Sequence, residues 1–359
     1  MPLIAVILLA ATTAACAASQ GSTAPVAPSP VGSTAFVVNH AISSDPGSTI
    51  TPVDLPSGAV ERPIRTGTNL STKAFAALAP SALAFGPGHE NLYVTNFGAN
   101  TVSELSGKRR TLTGVFKVGL EPDAVAISPG GRTAWVADFG SSSIVPVSLP
   151  SGRAGKPLIV GSEPRAVAVT PNGAEVLCAS FGSSTVSIID ARTMRVLSTI
   201  AVGLEPTAIA ITSNDSQALV ADFGANALTV INLSTNQILR TVALPENPTD
   251  IVAAASGARA RARNAPSALG QRAGTAAFYV TAGASIVPII APSDTTGRPF
   301  NIVYPVEALA ISNGGTIADA ALQGGAIAEL DLATGRLGRL IHVGGIPTAI
   351  AVAPAETGD

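Results

Sequence analysis

The chain has 359 residues, of which 47% are apolar, 12% are charged and 4% are aromatic, and its formal net charge is −2. So few charges argue against nucleic acid or an acidic membrane surface as a partner. Its two cysteines, Cys16 and Cys178, provide neither a disulfide framework nor a paired metal-binding spacing. The core is therefore predicted to consist of Ala, Val, Ile and Leu on strands that are buried on both faces.

Residues 1–16 have the features of an export signal, with an apolar run followed by small residues up to Cys16. This pattern resembles a bacterial lipoprotein signal, in which Cys16 becomes the lipidated first residue. The alternative is ordinary cleavage near Ala15-Cys16-Ala17, which would release a secreted protein. Residues 17–34 form a Ser/Pro/Ala-rich linker that cannot bury a core. We therefore expect an exported protein, either lipid-anchored in the cell envelope or extracellular.

Residues 35–359 contain a repeat with a period of 42 residues, clearest in the three copies that start at Gly119, Gly161 and Gly203. Each period holds four short runs of β-branched residues bounded by Gly, Pro, Asn, Asp and Ser. Four-stranded units at this spacing predict an all-β, seven-bladed β-propeller of antiparallel blades. A proline is predicted to open each first strand: Pro80, Pro122, Pro164, Pro206, Pro248, Pro305 and Pro347.

The two ends of the repeat region predict how the ring closes. From Ala35 the chain supplies a second, a third and a fourth strand, and after Pro347 it supplies only a first strand. Pairing the C-terminal strand with the three N-terminal strands completes a seventh blade and removes an open sheet edge.

Several short motifs in the repeat are similar to those of the YVTN family of surface β-propellers, and the resemblance covers about residues 35–357. Tyr93-Val94-Thr95-Asn96 spells that motif. A Val-Gly junction and an Asp-x-x-Thr/Ser-Gly turn also match, at Val118-Gly119, Val202-Gly203, Val343-Gly344, Asp54 to Gly58 and Asp331 to Gly335. The resemblance implies the propeller fold and a surface location, and it is not specific for an activity.

The loop between the second and third strands repeats a polar residue followed by Phe and Gly, as Asn96-Phe97-Gly98, Asp138-Phe139-Gly140, Ser180-Phe181-Gly182 and Asp222-Phe223-Gly224. We expect the polar side chain to cap its own turn, the Phe to pack between blades, and the Gly to adopt a conformation forbidden to other residues. The kinase-like Asp-Phe-Gly triplets lack the other kinase loops. Cys178 is expected to be a small buried hydrophobe.

The loop between the fourth and first strands should lie on the same face as the Phe-Gly loops. It carries Glu121, Glu163 and Glu205 at equivalent positions, near Asp138 and Asp222. Clustered carboxylates are candidates for a metal or basic-ligand site, and the alternative is a set of solvated loop glutamates. The three histidines fall on different parts of the blades, so we expect no histidine metal site, no Ser–His–Asp triad and no cofactor.

The function is predicted from the loops that should lie on the top face of the propeller. The favoured hypothesis is a non-catalytic binding module, expected to be a monomer, that holds a protein, glycan or small ligand at the top face and channel mouth. Its partner surface would include the long loops at residues 40–48 and 68–79, while the arginine-rich insert at 257–276 projects from the opposite face. The alternative is a lactonase-like propeller hydrolase or lyase with a site at the central channel. A quinone-dependent dehydrogenase ranks third.

Overall fold

The computed structural model describes residues 33–40, 49–66, 80–149, 151–254, 276–290, 295–312 and 315–353. Seven antiparallel sheets, each of four or five strands, are arranged in a ring, which confirms the predicted seven-bladed propeller. Short 3-10 helices occur at Pro87–His89, Phe97–Ala99, Phe139–Ser141 and Phe223–Ala225. Within these ranges, no helix has the length and apolar character needed to cross a membrane.

We number six blades in chain order and call the seventh the closing blade. Blade 1 contains Pro80–Phe85, Asn91–Asn96, Thr101–Ser106 and Thr111–Lys117. Blade 2 contains Pro122–Ile127, Thr133–Asp138, Ser143–Ser148, Arg153–Ala154 and Leu158–Ile159. Blade 3 contains Pro164–Val169, Glu175–Ser180, Thr185–Asp190 and Arg195–Ala201. Blade 4 contains Pro206–Ile211, Gln217–Asp222, Ala227–Asn232 and Gln237–Ala243.

The other three blades include both ends of the ring. Blade 5 contains Pro248–Ala253, Ala276–Ala282, Ser285–Ile290, Thr295–Thr296 and Phe300–Asn301. Blade 6 contains Val306–Ser312, Ile317–Leu322, Ala326–Asp331 and Leu337–His342. The closing blade contains Ile346–Ala353, Thr34–His40, Thr49–Asp54, Ala59–Val60 and Ile64–Arg65.

The ring closes as the sequence predicts. The C-terminal strand Ile346–Ala353 pairs antiparallel with Thr34–His40, with Val37 opposite Ile350. Its other neighbours are the first strands of blades 6 and 1, so the seven first strands contact one another in an unbroken circle. The closing blade therefore joins the two ends of the chain and leaves no first strand with an open side.

The hydrophobic core is divided among the joints between blades. Seven apolar clusters occur in the described residues, one at each of the seven joints. The cluster between blades 2 and 3 contains Trp135 and Cys178, both almost fully buried. Burial raises the pKa of the Cys178 thiol to about 12, so this cysteine is the buried hydrophobe that we predicted. Because second strands contact both neighbouring blades, they are apolar on both faces.

The outermost strand is split into two short pieces in blades 2 and 5 and in the closing blade. In these three blades a proline stands between the two pieces, and another proline lies in the third strand that pairs with them. Proline has no N–H to donate, and an outer edge strand can accept this loss because its free side faces water. The six residues are Pro63, Pro157 and Pro299 in the gaps, and Pro52, Pro146 and Pro288 in the third strands.

The predicted opening residue of blade 6 is wrong by one position. Val306 pairs with Leu322 just as Pro248 pairs with Ala282 in blade 5, so Val306 occupies the opening position. Val306 is buried like the opening prolines of the other blades, whereas Pro305 is exposed in the preceding loop. In blade 6 the proline stands one residue before the opening position, and only the strand register shows that Val306 occupies that position.

Several predicted features lie outside the described residues. They are the export signal with Cys16, most of the linker, the loop regions 41–48 and 67–79, and the arginine-rich insert. The boundaries proposed for the signal, linker and propeller remain predictions.

Candidate ligand site at the channel mouth

The top face is defined here as the side of the ring that carries the loops between fourth and first strands and between second and third strands. In blades 2, 3 and 4, backbone hydrogen bonds join the loop that leads into the blade to the loop between its second and third strands. The Phe139 N–H donates to the Glu121 carbonyl at 2.9 Å, and the Phe223 N–H donates to the Glu205 carbonyl at 3.1 Å. The predicted shared face is therefore confirmed.

Glu121, Glu163 and Glu205 form part of these loops and adopt the left-handed backbone conformation, with φ of 53°, 54° and 55°. Their carbonyls are held by the neighbouring loop, while their side chains are exposed or half-exposed. None of them lines the cavity at the centre of the top face. In the described part of the chain, no group of three or more His, Cys, Asp or Glu residues is arranged to hold a metal ion. The acidic metal site remains a prediction.

The two aspartates proposed with them are not on the surface. Asp138 and Asp222 are fully buried at the ends of the second strands of blades 2 and 4. Burial raises the pKa of Asp138 to about 7 and that of Asp222 to about 6. In blades 1, 2 and 4, the side chain at this position does not cap its own turn as we expected.

The difference between the two pKa values follows from the third strand. In blade 4 the Thr229 hydroxyl donates to Asp222 Oδ2 at 2.5 Å. The corresponding residue of blade 2, seven positions after Asp138, is Val145, which has no hydroxyl. Both carboxyl oxygens of Asp138 consequently lack a partner in hydrogen-bonding geometry, and the adjacent Gly119 amide offsets only part of the burial.

The Phe-Gly loops differ from the prediction in a second respect. The left-handed residue lies two positions after the glycine, at Asn100, Ser142, Ser184 and Asn226. The glycine instead allows the neighbouring loop to approach closely, since a Cβ added to Gly140 would lie 2.7 Å from Glu121 Oε2 and 3.2 Å from Leu120 Cβ. Phe97 and Phe139 contact each other between blades 1 and 2, with centroids 5.9 Å apart, as expected.

A cavity of about 620 Å³ lies at the centre of the top face. Its walls come from the first strands of all seven blades and from the Phe97, Phe181 and Phe223 rings. The residue that follows each opening position lines this cavity, and we call these seven residues the mouth ring. In blade order, ending with the closing blade, they are Ser81, Asp123, Arg165, Thr207, Thr249, Glu307 and Thr348.

Three hydroxyls of the mouth ring bind neighbouring blades together. The Ser81 hydroxyl donates to the Pro122 carbonyl at 3.0 Å. In the same way Thr207 donates to Pro248 at 3.1 Å, and Thr249 donates to Val306 at 2.9 Å. Each bond joins a mouth-ring side chain to the opening residue of the next blade, so these hydroxyls have a structural role as well as lining the cavity.

The charged members of the ring do not make this bond. Arg165 Nε lies 3.3 Å from Asp123 Oδ2, and the Arg165 guanidinium lies over the Phe181 ring, 4.9 Å from its centroid. Burial raises the pKa of Asp123, and the neighbouring Arg165 partly offsets the effect. Glu307 accepts a short hydrogen bond from the Gln323 side chain. The mouth ring therefore presents charge where the other blades present hydroxyls.

One position deeper, the wall of the channel is alanine in six blades and aspartate in the remaining one. Asp250 is half-buried and lines the same cavity. Its Oδ2 accepts from the Leu309 N–H at 2.9 Å and its Oδ1 from the Ile251 N–H at 2.8 Å. Burial raises its pKa, which these two bonds offset in part. The alanines are Ala82, Ala124, Ala166, Ala208, Ala308 and Ala349.

Sequence reasoning missed this site because it considered the residue before each opening position and not the one after it. The residue before the opening position is glutamate in three blades, so the rim of the channel seemed to repeat the same residue. The residue after differs from blade to blade, and that variation in an otherwise regular repeat was the available signal.

Exposed apolar side chains stand on the loops that surround the mouth. Four of them stand in the loops that precede the first strands of blades 2, 4 and 6, and the fifth is the first residue of the closing blade's first strand. The five residues are Leu120, Leu204, Val303, Tyr304 and Ile346. Apolar residues that rim a polar concavity are typical of ligand-binding surfaces.

No family model matches the chain, and no curated protein matches it. Solved structures do match. A hydrazine synthase from Kuenenia stuttgartiensis has a TM-score of 0.64 at 16% identity, covering 79% of this chain and 92% of its own. A protein of unknown function from Desulfotomaculum acetoxidans has a TM-score of 0.70 at 13% identity, over 90% of this chain and 100% of its own.

A third similar structure is a candidate 6-phosphogluconolactonase from Bacteroides uniformis, with a TM-score of 0.68 at 13% identity over 90% of this chain and 100% of its own. Identities this low establish that the propeller fold is shared. They do not transfer an activity, because one fold carries many functions.

Proposed function

We propose that this chain is a binding module that holds a small organic ligand in the cavity at its channel mouth. The observation that supports this function is the mouth ring. Its residues differ from blade to blade, and they line a cavity of about 620 Å³. A volume of this size suits a small ligand, and a few polar groups among apolar and aromatic walls suit selective binding.

A thermal-shift screen of a metabolite library would test this proposal. The mouth variant Asp123→Asn with Arg165→Gln and Asp250→Asn removes the ion pair that lines the cavity together with the aspartate of blade 5. The matched control, Glu61→Gln with Arg110→Gln, removes an ion pair between blade 1 and the closing blade, away from the cavity. Ligand at about 100 times its Kd should add about 2.7 kcal/mol of stability to the wild type and to the control variant.

The mouth variant should lose most of that ligand-dependent shift. If every ligand found in the screen stabilises all three proteins equally, ligands bind elsewhere and the proposal fails. It also fails if the library contains no ligand whose effect depends on these three mouth residues.

The second candidate function is a hydrolase or lyase at the same cavity. Two carboxyls with raised pKa, Asp123 and Asp250, line the cavity, and such groups can act as general acids or bases. Two of the similar solved structures are candidate 6-phosphogluconolactonases. Turnover of a panel of sugar lactones that disappears in Asp250→Asn would favour the enzyme, and turnover equal in both proteins would count against it.

Export and membrane attachment are proposed from the sequence. The apolar run before Cys16, the linker after it and the Tyr93-Val94-Thr95-Asn96 motif together favour an exported YVTN-family propeller that is attached through a lipid on Cys16. Intact mass and detergent partitioning of the protein expressed with its own N-terminus would test this. A diacylglyceryl adduct on Cys16 supports the anchor, and an unmodified aqueous form contradicts it.

A further inference from the structure

Asp250 interrupts the alanine wall of the channel, and its charge indicates the kind of ligand that the cavity would bind. Six blades have alanine at this position, and five of these alanines line the cavity, whereas blade 5 places the carboxyl of Asp250 there. A half-buried carboxylate is costly where an alanine would fit, so packing does not explain its presence. The carboxyl accepts the Leu309 N–H of blade 6, and it adds negative charge at a position that is uncharged in the other six blades.

The carboxyl of Asp250 is held in a fixed position and can still accept further hydrogen bonds. The Leu309 N–H on the adjacent blade and the Ile251 N–H donate to its two oxygens, one to each. A carboxylate can accept about four hydrogen bonds, so each oxygen keeps one acceptor site. Among the described residues, neither Lys nor Arg forms an ion pair with Asp250.

The charges that line the cavity do not balance. Asp123 and Arg165 pair with each other and cancel. Asp250 and Glu307 remain, and the described lining contains no further cation. Two uncompensated carboxylates in a concave site favour a ligand that carries positive charge.

The aromatic part of the lining fits the same kind of ligand. Phe97, Phe181 and Phe223 are half-buried at the mouth, and an aromatic face attracts a cation that lies within about 6 Å of its centre. The protein already contains one such contact, because the Arg165 guanidinium lies 4.9 Å from the centre of the Phe181 ring. The rings of Phe97 and Phe223 have no such cation among the described residues.

We propose that the channel mouth binds an organic ammonium ion, whose N–H groups donate to the free acceptor sites of Asp250 and whose apolar part lies against the phenylalanine rings. This inference rests on the proposed function, since it specifies the ligand class of the same cavity. Glu307 adds to the negative field from the neighbouring blade.

Calorimetric titration with small probes of matched shape tests the charge requirement. Benzylamine and 1,6-diaminohexane should bind, and their affinity should fall as salt rises because the attraction is electrostatic. Benzyl alcohol, 1,6-hexanediol and benzoate should bind at least about tenfold more weakly, since they lose the charge-assisted hydrogen bond. Benzyltrimethylammonium, which has no N–H, should fall between benzylamine and benzyl alcohol.

Two variants of one residue connect the binding to Asp250. Asp250→Ala restores the residue of the other six blades, and Asp250→Asn keeps the shape of the side chain while removing its charge. Both should weaken benzylamine binding by at least about tenfold. Glu121→Gln, on the top face but outside the cavity lining, should leave binding unchanged. Circular dichroism and melting of each variant distinguish lost binding from lost folding.

Each remaining result contradicts the inference in a recognisable way. Equal binding of benzylamine and benzyl alcohol, or unchanged affinity in a folded Asp250→Asn protein, would remove the role of charge. Preferential binding of benzoate that disappears in Arg165→Gln would replace the cation with an anion and leave the proposed function intact. If no amine binds, the inference fails, while the library screen still decides whether the mouth is a ligand site.

Discussion

The residues just before the opening position of each blade and the mouth-ring residues just after it are separated by only one residue, yet they behave in opposite ways. The residue before the opening position is glutamate in three consecutive blades, and its backbone is bonded to the neighbouring Phe-Gly loop. The residue after it changes from hydroxyl to acid to base around the ring and lines a cavity. In this propeller, repetition marks the residues that build the ring, and variation marks the residues that face a ligand.

The same contrast extends to the ends of the second strands. Asn96, Asp138, Ser180 and Asp222 are polar and buried. Asp138 and Asp222 lie against glycines of the loop that leads into their own blade, because a Cβ at Gly119 or Gly203 would lie within 2.6 Å of the aspartate side chain. Changes at these copied positions should alter stability without altering ligand binding.

The largest expected effect concerns Asp138, the copied residue that has lost its partner. Its folded pKa of about 7 lies above the value of about 3.9 for an unfolded chain, so the folded state binds the proton more tightly. The stability from the protonated carboxyl is fully present below about pH 4 and is lost as pH rises to about 7. At pH 8 the buried charge should cost about 2–4 kcal/mol.

The double variant Asp138→Asn with Val145→Ser would copy the Asn96–Ser103 pair of blade 1, whose side chains are 2.8 Å apart. It should recover this free energy at pH 8 and change little at pH 4, as measured by urea unfolding. Asp222→Asn is the comparison, with a smaller effect because the Asp222 pKa is only about 6. Buried Asp319, whose pKa is raised to about 7, is unchanged in all three proteins. Equal pH dependence of the double variant and the wild type would contradict this account.

A smaller effect is expected for Gly203→Ala. The new Cβ would lie 2.6 Å from the Cβ of Asp222, which must then move within a packed joint between blades. We expect a loss of about 1–3 kcal/mol in the free energy of unfolding, with ligand affinity unchanged. Gly130→Ala is the matched control, since its Cβ would meet no atom within 4 Å. A Gly203→Ala protein as stable as the control would show that the glycine is not required there.

The smallest effect is expected for Thr249→Val, which removes a mouth-ring hydroxyl while keeping the shape of the side chain. The bond to the Val306 carbonyl at 2.9 Å would be lost, at a cost of about 1 kcal/mol. Thr199→Val, on an exposed outer strand of blade 3, provides the control. If both substitutions change the melting temperature equally, the mouth hydroxyls do not join the blades.

Fold and site differed in how far they could be predicted from sequence. The 42-residue period, the four-strand units and the incomplete blades at the two ends were enough to predict seven blades and the closure of the ring. Each of these features depends on short stretches of sequence. The opening residue of blade 6 required strand register, since Pro305 and Val306 are adjacent and only one pairs with Leu322. The roles of the Phe-Gly glycines required the distance to a loop twenty residues away, which no local pattern contains.

The site itself was readable in principle, since the variation at the mouth ring and the aspartate at position 250 stand in the sequence. The copied glutamates drew attention because acidic clusters are common in binding sites. Whether the residue before or the residue after the opening position faces the channel depends on the alternation of side chains along a strand and on the irregular pairing after the opening residue. That irregularity was visible only in the structure.

The most direct test makes the seven blades alike at the mouth. Ser81→Thr, Asp123→Thr, Arg165→Thr, Glu307→Thr and Asp250→Ala together give every blade a hydroxyl at the mouth ring and an alanine below it. A second protein, with Glu121→Gln, Glu163→Gln and Glu205→Gln, alters the copied loops instead. Calorimetric titration of benzylamine should show no binding to the first protein, which should still melt cooperatively, and wild-type affinity for the second. Retained binding in a folded first protein, or lost binding in the second, would contradict the assignment of the ligand site to the varied residues.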